Sequence, residues 1–152
     1  MAARTTHSPY IFEQRIGASA LIIGKKNATG VNLQNADPNQ WLFSEPSWGE
    51  LSYHAYDLAT FEYHNELYGW LQERTGSWME DQMETFLVSQ GCVQNKNWAR
   101  DRNGQLSTKS RTIMTYIRNF THHPENTHNQ PYSETELQDS ISKMYAIAQT
   151  LR

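Results

Sequence analysis

The chain has 152 residues, 38% of them hydrophobic and 12% aromatic, with a net charge of −3. That is enough apolar material for one ordinary core, so disorder throughout is excluded. A single cysteine, Cys92, rules out an intrachain disulfide and a cysteine-rich zinc site.

The N-terminus lacks the basic-then-apolar layout of a secretory signal, because Arg4 is followed by polar Thr5, Thr6 and His7. The longest apolar stretch, Ala18 to Gly24, is far too short to span a bilayer. The expected location is therefore the cytoplasm, with no membrane partner. Ser8-Pro9 reads as an N-cap followed by proline at the first helical position. A helix is expected from there to about Lys25, although Gly17 and the pair Ile22-Ile23 leave a short strand over 18–23 as the alternative. Asn27 to Pro46, rich in Asn, Gly and Pro, reads as a long irregular connection.

Ser47-Trp48-Gly49-Glu50 is a capping box. The helix it opens is expected to run to Thr75, with Gly76 as its stop. Trp48, Leu51, Ala55, Leu58, Ala59, Tyr63, Leu67 and Trp70 then fall on one broad face. In that phase Glu62 and Glu66 also point inward, whereas His54, Asp57 and His64 lie on a solvated polar stripe. Ser77-Trp78-Met79-Glu80 reads as a second capping box, opening a helix that ends near Gly91. Residues 92 to 105 read as a loop with an Asn103-Gly104 turn. A further helix is expected from near Ser107, burying Leu106, Ile113, Ile117 and Phe120 until Pro124 stops it. Ser133-Glu134-Thr135-Glu136 is a third capping box, followed by Leu137, Ile141, Met144, Tyr145, Ala148 and Leu151 at steps of three or four. The expectation is one all-α domain over 1–152, a bundle of four to five helices with long loops. Its N-terminal 1–46 is partly irregular, and 47–151 holds the helices that matter.

Charge is unevenly placed. From Lys96 to Arg118 there are six cations (Lys96, Arg100, Arg102, Lys109, Arg111, Arg118) and one acid, Asp101, so this stretch carries +5 while the rest carries −8. Local positive charge is what phosphate binding needs. Trp98, inside this stretch, is the tryptophan placed to stack on a nucleic-acid base.

The segment Arg118-Asn119-Phe120-Thr121-His122-His123 holds the chemistry. Arginine offers a planar fork of donors to phosphate, and histidine accepts or donates a proton near neutral pH. Cleavage of RNA by its own 2′-hydroxyl needs those two services and no metal. Arg118 and His122 are four residues apart on one side of a helix. His123 follows where the helix is ending.

Arg118-Asn119-x-x-x-His123 resembles the R-polar-x-x-x-H motif of HEPN domains, the helical ribonucleases of toxin–antitoxin, abortive-infection and CRISPR systems. The motif covers about Ile113 to Asn126, and the helical order extends the likeness loosely over Ser47–Leu151. The resemblance implies a metal-independent endoribonuclease with no cofactor and RNA as substrate. It also implies a homodimer whose two motifs share a cleft, together with a cognate antitoxin or other partner. It makes Arg118 the phosphate ligand, His123 the general base or acid, and Asn119 the group that orients them. His122 is the alternative to His123, which the spacing favours. In one subgroup a tyrosine modified by an antitoxin stands two residues after the histidine. This chain has Glu125 there, which puts that form of control in doubt.

Other readings compete. Lys96, Arg100, Arg102, Lys109 and Arg111 could form a track for RNA or simply a basic face. Glu62 or Glu66 could hold Arg118. His122, His123 and His128 could ligate a metal in a metal-dependent nuclease. A non-catalytic helical protein-binding module of the same fold would use none of this chemistry.

Overall fold

The computed structural model describes residues 22–35, 41–43 and 45–152. The expected helix from Ser8 to about Lys25 lies outside them up to residue 21, and its last residues, from Ile22, are strand instead. The chain forms two compact units, Met1–Leu58 and Ala59–Arg152.

In the first unit, β1 (Ile22–Asn27) and β2 (Gly30–Asn35) form an antiparallel hairpin closed by a two-residue turn, with Ile22 opposite Asn35. Part of the expected irregular connection is therefore strand. Helix α1 (Trp48–Tyr56) starts at the Ser47 cap, whose Oγ accepts from the Glu50 N–H at 3.0 Å. It stops much earlier than Thr75. Asp57 adopts the left-handed conformation (φ 60°) and its N–H turns back to Ser52 and Tyr53 carbonyls, closing the helix.

The second unit opens with α2 (Phe61–Thr75), capped by Thr60 and ended by Gly76 at φ 68°. Helix α3 (Glu80–Ser89) is capped at Met79, two residues after its expected cap Ser77. The Met79 N–H donates to Gln82 Oε1 at 3.1 Å, which fixes the cap there. Next comes a second antiparallel hairpin, β3 (Lys96–Arg102) and β4 (Gln105–Arg111). Asn103 and Gly104 both have positive φ (55° and 78°), the geometry that matches the twist of a two-residue hairpin. Helix α4 (Ile113–His122) starts at Thr112 rather than near Ser107, because 105–111 belong to β4. Helix α5 (Glu134–Thr150) starts at the Ser133 capping box, with both reciprocal bonds made.

The all-α expectation is thus overturned. The described residues hold five helices and two two-stranded antiparallel sheets, a mixed architecture. In the second unit α2, α4 and α5 pack on one another, and α4 also meets both strands of its hairpin. Tyr63, Leu67, Leu71, Met83, Leu87, Met114, Ile117, Ile141 and Met144 are fully buried there. Each such apolar side chain contributes roughly 1.5–3 kcal/mol relative to exposure. A buried acid fixes where α4 begins. Glu84 of α3 accepts from the Thr112 N–H at 2.6 Å and from Thr112 Oγ1 at 3.1 Å, placing negative charge at the positive end of α4. Among the described residues, no helix is long and apolar enough to cross a membrane.

Candidate active site

Arg118 and His122 sit one turn apart near the C-terminal end of α4, and both lie close enough to α2 to influence His64. His64 is fully buried, and its Nε2 shares a hydrogen bond with Ser140 Oγ of α5 at 3.0 Å. Burial is the main force that pushes the His64 imidazole down from 6.5 to about 3. The neighbouring Asn65 side chain opposes that shift, and the Arg118 and His122 charges add to it.

The ring of Tyr68, one turn after His64 on α2, stacks near the imidazole at 6.4 Å with 19° between the planes. The Arg118 guanidinium carbon lies over that Tyr68 ring, 5.4 Å from its centroid. Tyr68 is 2% exposed, and its hydroxyl shares a hydrogen bond with Thr115 Oγ1 at 3.3 Å. Burial pushes the phenol up to about 12, with the Arg118 charge pulling the other way. Among the described residues Arg118 forms no ion pair. His122 is exposed, and partial desolvation, then Arg118, then His123 hold its pKa below 6.5. It is therefore mainly neutral at pH 7 and able to accept a proton.

His123 belongs to another neighbourhood. It is the C-cap of α4, and its Nδ1 stands 3.2 Å from Glu125 Oε1. Its ring lies 6.4 Å from that of Trp98 on β3. With Arg100, Asp101, Glu125, Asn126 and His128 it lines a depression of about 220 Å³. The loop there is fastened to β3 at one residue. Ala99 donates its N–H to Asn129 Oδ1 at 2.8 Å, and its carbonyl accepts from the amides of Asn126 and Asn129 at 2.8 and 2.9 Å.

The remaining predicted residues divide sharply. Asn119 is buried with its Nδ2 lacking a hydrogen-bond partner, so it makes no orienting bond to Arg118 or either histidine. Trp98 is buried against Tyr116 at 5.6 Å, edge to face, and is part of the core rather than a free stacking surface. Lys96 pairs with Glu136 and lies over the Tyr116 ring. Lys109 pairs with Asp81 at 3.2 Å, and buried Arg111 pairs with both Glu80 and Asp81. Three of the five residues of the predicted basic track are thereby neutralised within the fold. Arg100 is exposed and outside any ion pair among the described residues, whereas Arg102 is placed only by its backbone, opposite Gln105.

Glu62 is exposed and Glu66 half-buried, and neither bonds to Arg118. The inward face of α2 is Tyr63, His64, Leu67, Tyr68 and Leu71. Sequence reasoning placed His64 on the solvated side because it ran α1 and α2 together in one helical phase. The signal for the break was Thr60, a side-chain N-cap that accepts from the Tyr63 N–H at 3.2 Å. Thr115, Tyr68 and Ser140 were missed for want of any motif around them. Among the described residues no three His, Cys, Asp or Glu side chains are grouped to hold a metal ion, His122, His123 and His128 included.

The arrangement offers a cation for a phosphate and a neutral imidazole beside it. No protein-family model matches the chain, nor does any curated protein or solved structure.

Proposed function

We propose that the protein is a metal-independent endoribonuclease of HEPN type, acting by attack of the RNA 2′-hydroxyl on the adjacent phosphodiester. The observation that carries this reading is an arginine and a neutral histidine sharing one side of α4, with no acid paired to the arginine. Arg118 binds the scissile phosphate and steadies the charge that builds on it. His122 takes the 2′-hydroxyl proton as the 2′-oxygen bonds to phosphorus and the bond to the 5′-oxygen breaks. The departing 5′-oxygen takes its proton from a second acid, for which His123 or a histidine of a second copy is suited. The products are a 2′,3′-cyclic phosphate and a 5′-hydroxyl. By the motif's resemblance, the working form is a homodimer, and the biological role is the effector of a toxin–antitoxin or anti-phage defence module, held in check by a partner protein.

The test is cleavage of a single-stranded RNA in EDTA. The native chain is expected to yield cyclic-phosphate ends, and Arg118→Ala to lower the rate by about 10²–10³-fold with unchanged circular dichroism. Equal rates in the two, or activity that returns only with added divalent metal, would sink the reading. A stable protein complex with no cleavage would favour a binding module instead.

A further inference from the structure

An arginine that must seize a phosphate poses a physical problem. Left free, its side chain has many rotamers, and ordering them on binding costs up to about 2 kcal/mol. Paired with a carboxylate it is ordered but neutralised, and two of its five N–H donors are taken. An aromatic ring face solves both difficulties, because it attracts the cation and occupies none of its acceptor-seeking donors.

Arg118 is held in that third way. Its guanidinium carbon lies 5.4 Å from the Tyr68 centroid, and among the described residues no acid pairs with it. Arg111, which precedes the N-cap of the same helix, shows the contrast, since it is buried and locked to Glu80 and Asp81. The ring beneath Arg118 is itself fixed from both ends. Its hydroxyl is tied to Thr115, three residues before Arg118 on α4, and His64 stacks behind it. His64 is anchored in turn to Ser140 of α5. Tyr68, Thr115, His64 and Ser140 are each 2% exposed or less, so the platform is part of the core and not a surface accident.

We infer that Tyr68 is a positioning residue, a rigid ring that orders Arg118 without neutralising it and so fits the site to a phosphodiester. The inference takes its substrate from the ribonuclease reading, while the ordering of Arg118 can be observed without it.

Two variants separate the ring from its bulk. Tyr68→Phe keeps the aromatic face, and Tyr68→Leu keeps apolar volume without it. The NMR signal of the Arg118 side-chain Nε–H, assigned by its loss in Arg118→Lys, is expected to be displaced by the ring current in the native chain and in Tyr68→Phe. In Tyr68→Leu it should move to the position of a free arginine. In RNA cleavage, kcat is expected to fall about 2–30-fold in Tyr68→Leu, from the range for a ring–cation contact, and Tyr68→Phe should restore most of that loss. Binding of a 2′-O-methyl RNA, which cannot be cleaved, should weaken in the leucine variant and recover in the phenylalanine one. A folded Tyr68→Leu protein with native kcat, KM and Arg118 signal overturns the inference. So does a phenylalanine variant as impaired as the leucine one. If the native chain cleaves no RNA, the ribonuclease reading fails by itself, and the Arg118 signal in the three proteins still decides whether Tyr68 orders it.

Discussion

The last turn of α4 presents two adjacent histidines to two unlike neighbourhoods. His122 shares its side with Arg118, over a buried layer of His64 and Tyr68 that α5 backs through Ser140. His123 turns toward buried Trp98 of the β3–β4 hairpin, with the Glu125 carboxylate of the following loop at its Nδ1. One residue of rotation, about 100° on a helix, separates a histidine beside a cation from a histidine beside an acid. The neighbouring Arg118 charge, added to partial desolvation, keeps the His122 imidazole neutral and proton-accepting. His122 is therefore the histidine placed beside the phosphate-binding cation, even though motif spacing alone selects His123.

The sharpest way to break this comparison is to remove each histidine separately. In His122→Ala, RNA cleavage is expected to fall by about 10²–10⁴-fold, the range for losing a general base. In His123→Ala a smaller loss, no more than about 10²-fold at the low end of the same range, is expected, because a histidine of a second copy can serve in the second proton transfer. The readout is kcat/KM on one RNA at pH 7. A larger loss in His123→Ala than in His122→Ala would reverse the assignment and restore the register that spacing favours.

The second effect belongs to the α2 side. His64 is held at about 3 in the folded chain, and an unfolded chain returns it to about 6.5. Between those values the unfolded chain binds the extra proton, so this contribution is complete above pH 6.5 and drains away as pH falls toward 3. The slope is at most ~1.4 kcal/mol per pH unit. Urea unfolding from pH 6.5 down to 4.5 isolates it from most carboxylate titration. His64→Gln should flatten the slope, leaving a remnant from His54 and His122, which are also held low. An unchanged slope in that variant would mean His64 is protonated in the fold.

How much of this was open to sequence reading depended on whether the signal was local. Helix α5 was legible because Ser133 and Glu136 cap it within one turn and its apolar stripe is regular. The end of α4 was legible from Pro124. The β3–β4 hairpin showed only its Asn103-Gly104 turn, because its strands lack an apolar face. Six of the seven β4 residues are exposed, which removes the period-two alternation that marks a strand. The site was half legible. Arg118, His122 and His123 fall within one six-residue segment, but Tyr68, His64 and Ser140 reach them from α2 and α5, across many intervening positions. Only packing brings them there. The break at Asp57 hid them further, since it resets the helical phase that decides which residues of α2 face inward.

The third effect belongs to the hairpin side. Asn129 bonds both polar groups of Ala99, acting as a substitute for a neighbouring strand. Asn129→Ala leaves the half-buried Ala99 N–H without its acceptor, at a cost of about 1 kcal/mol in urea unfolding. The loop carrying His128 should loosen, with faster amide exchange from 125 to 130, while the Arg118 and His122 signals stay in place. Movement of both groups together would show that the two sides of α4 are one unit.

The smallest effect couples the sides and concerns a single proton. His123 is one of the charges that lower His122, after desolvation and Arg118. When a neighbouring cation is removed, an imidazole holds its proton more tightly, so His123→Gln should raise the His122 pKa toward 6.5. NMR titration of the His122 ring measures this directly, and the acid limb of kcat/KM should move up in pH with it. Added salt should shrink the difference between the two proteins, because His122 is exposed and the interaction is screened within about 10 Å at 0.1 M. A downward shift, or one that salt leaves untouched, would mean that His123 acts on its neighbour through a hydrogen bond or a change of rotamer rather than through its charge.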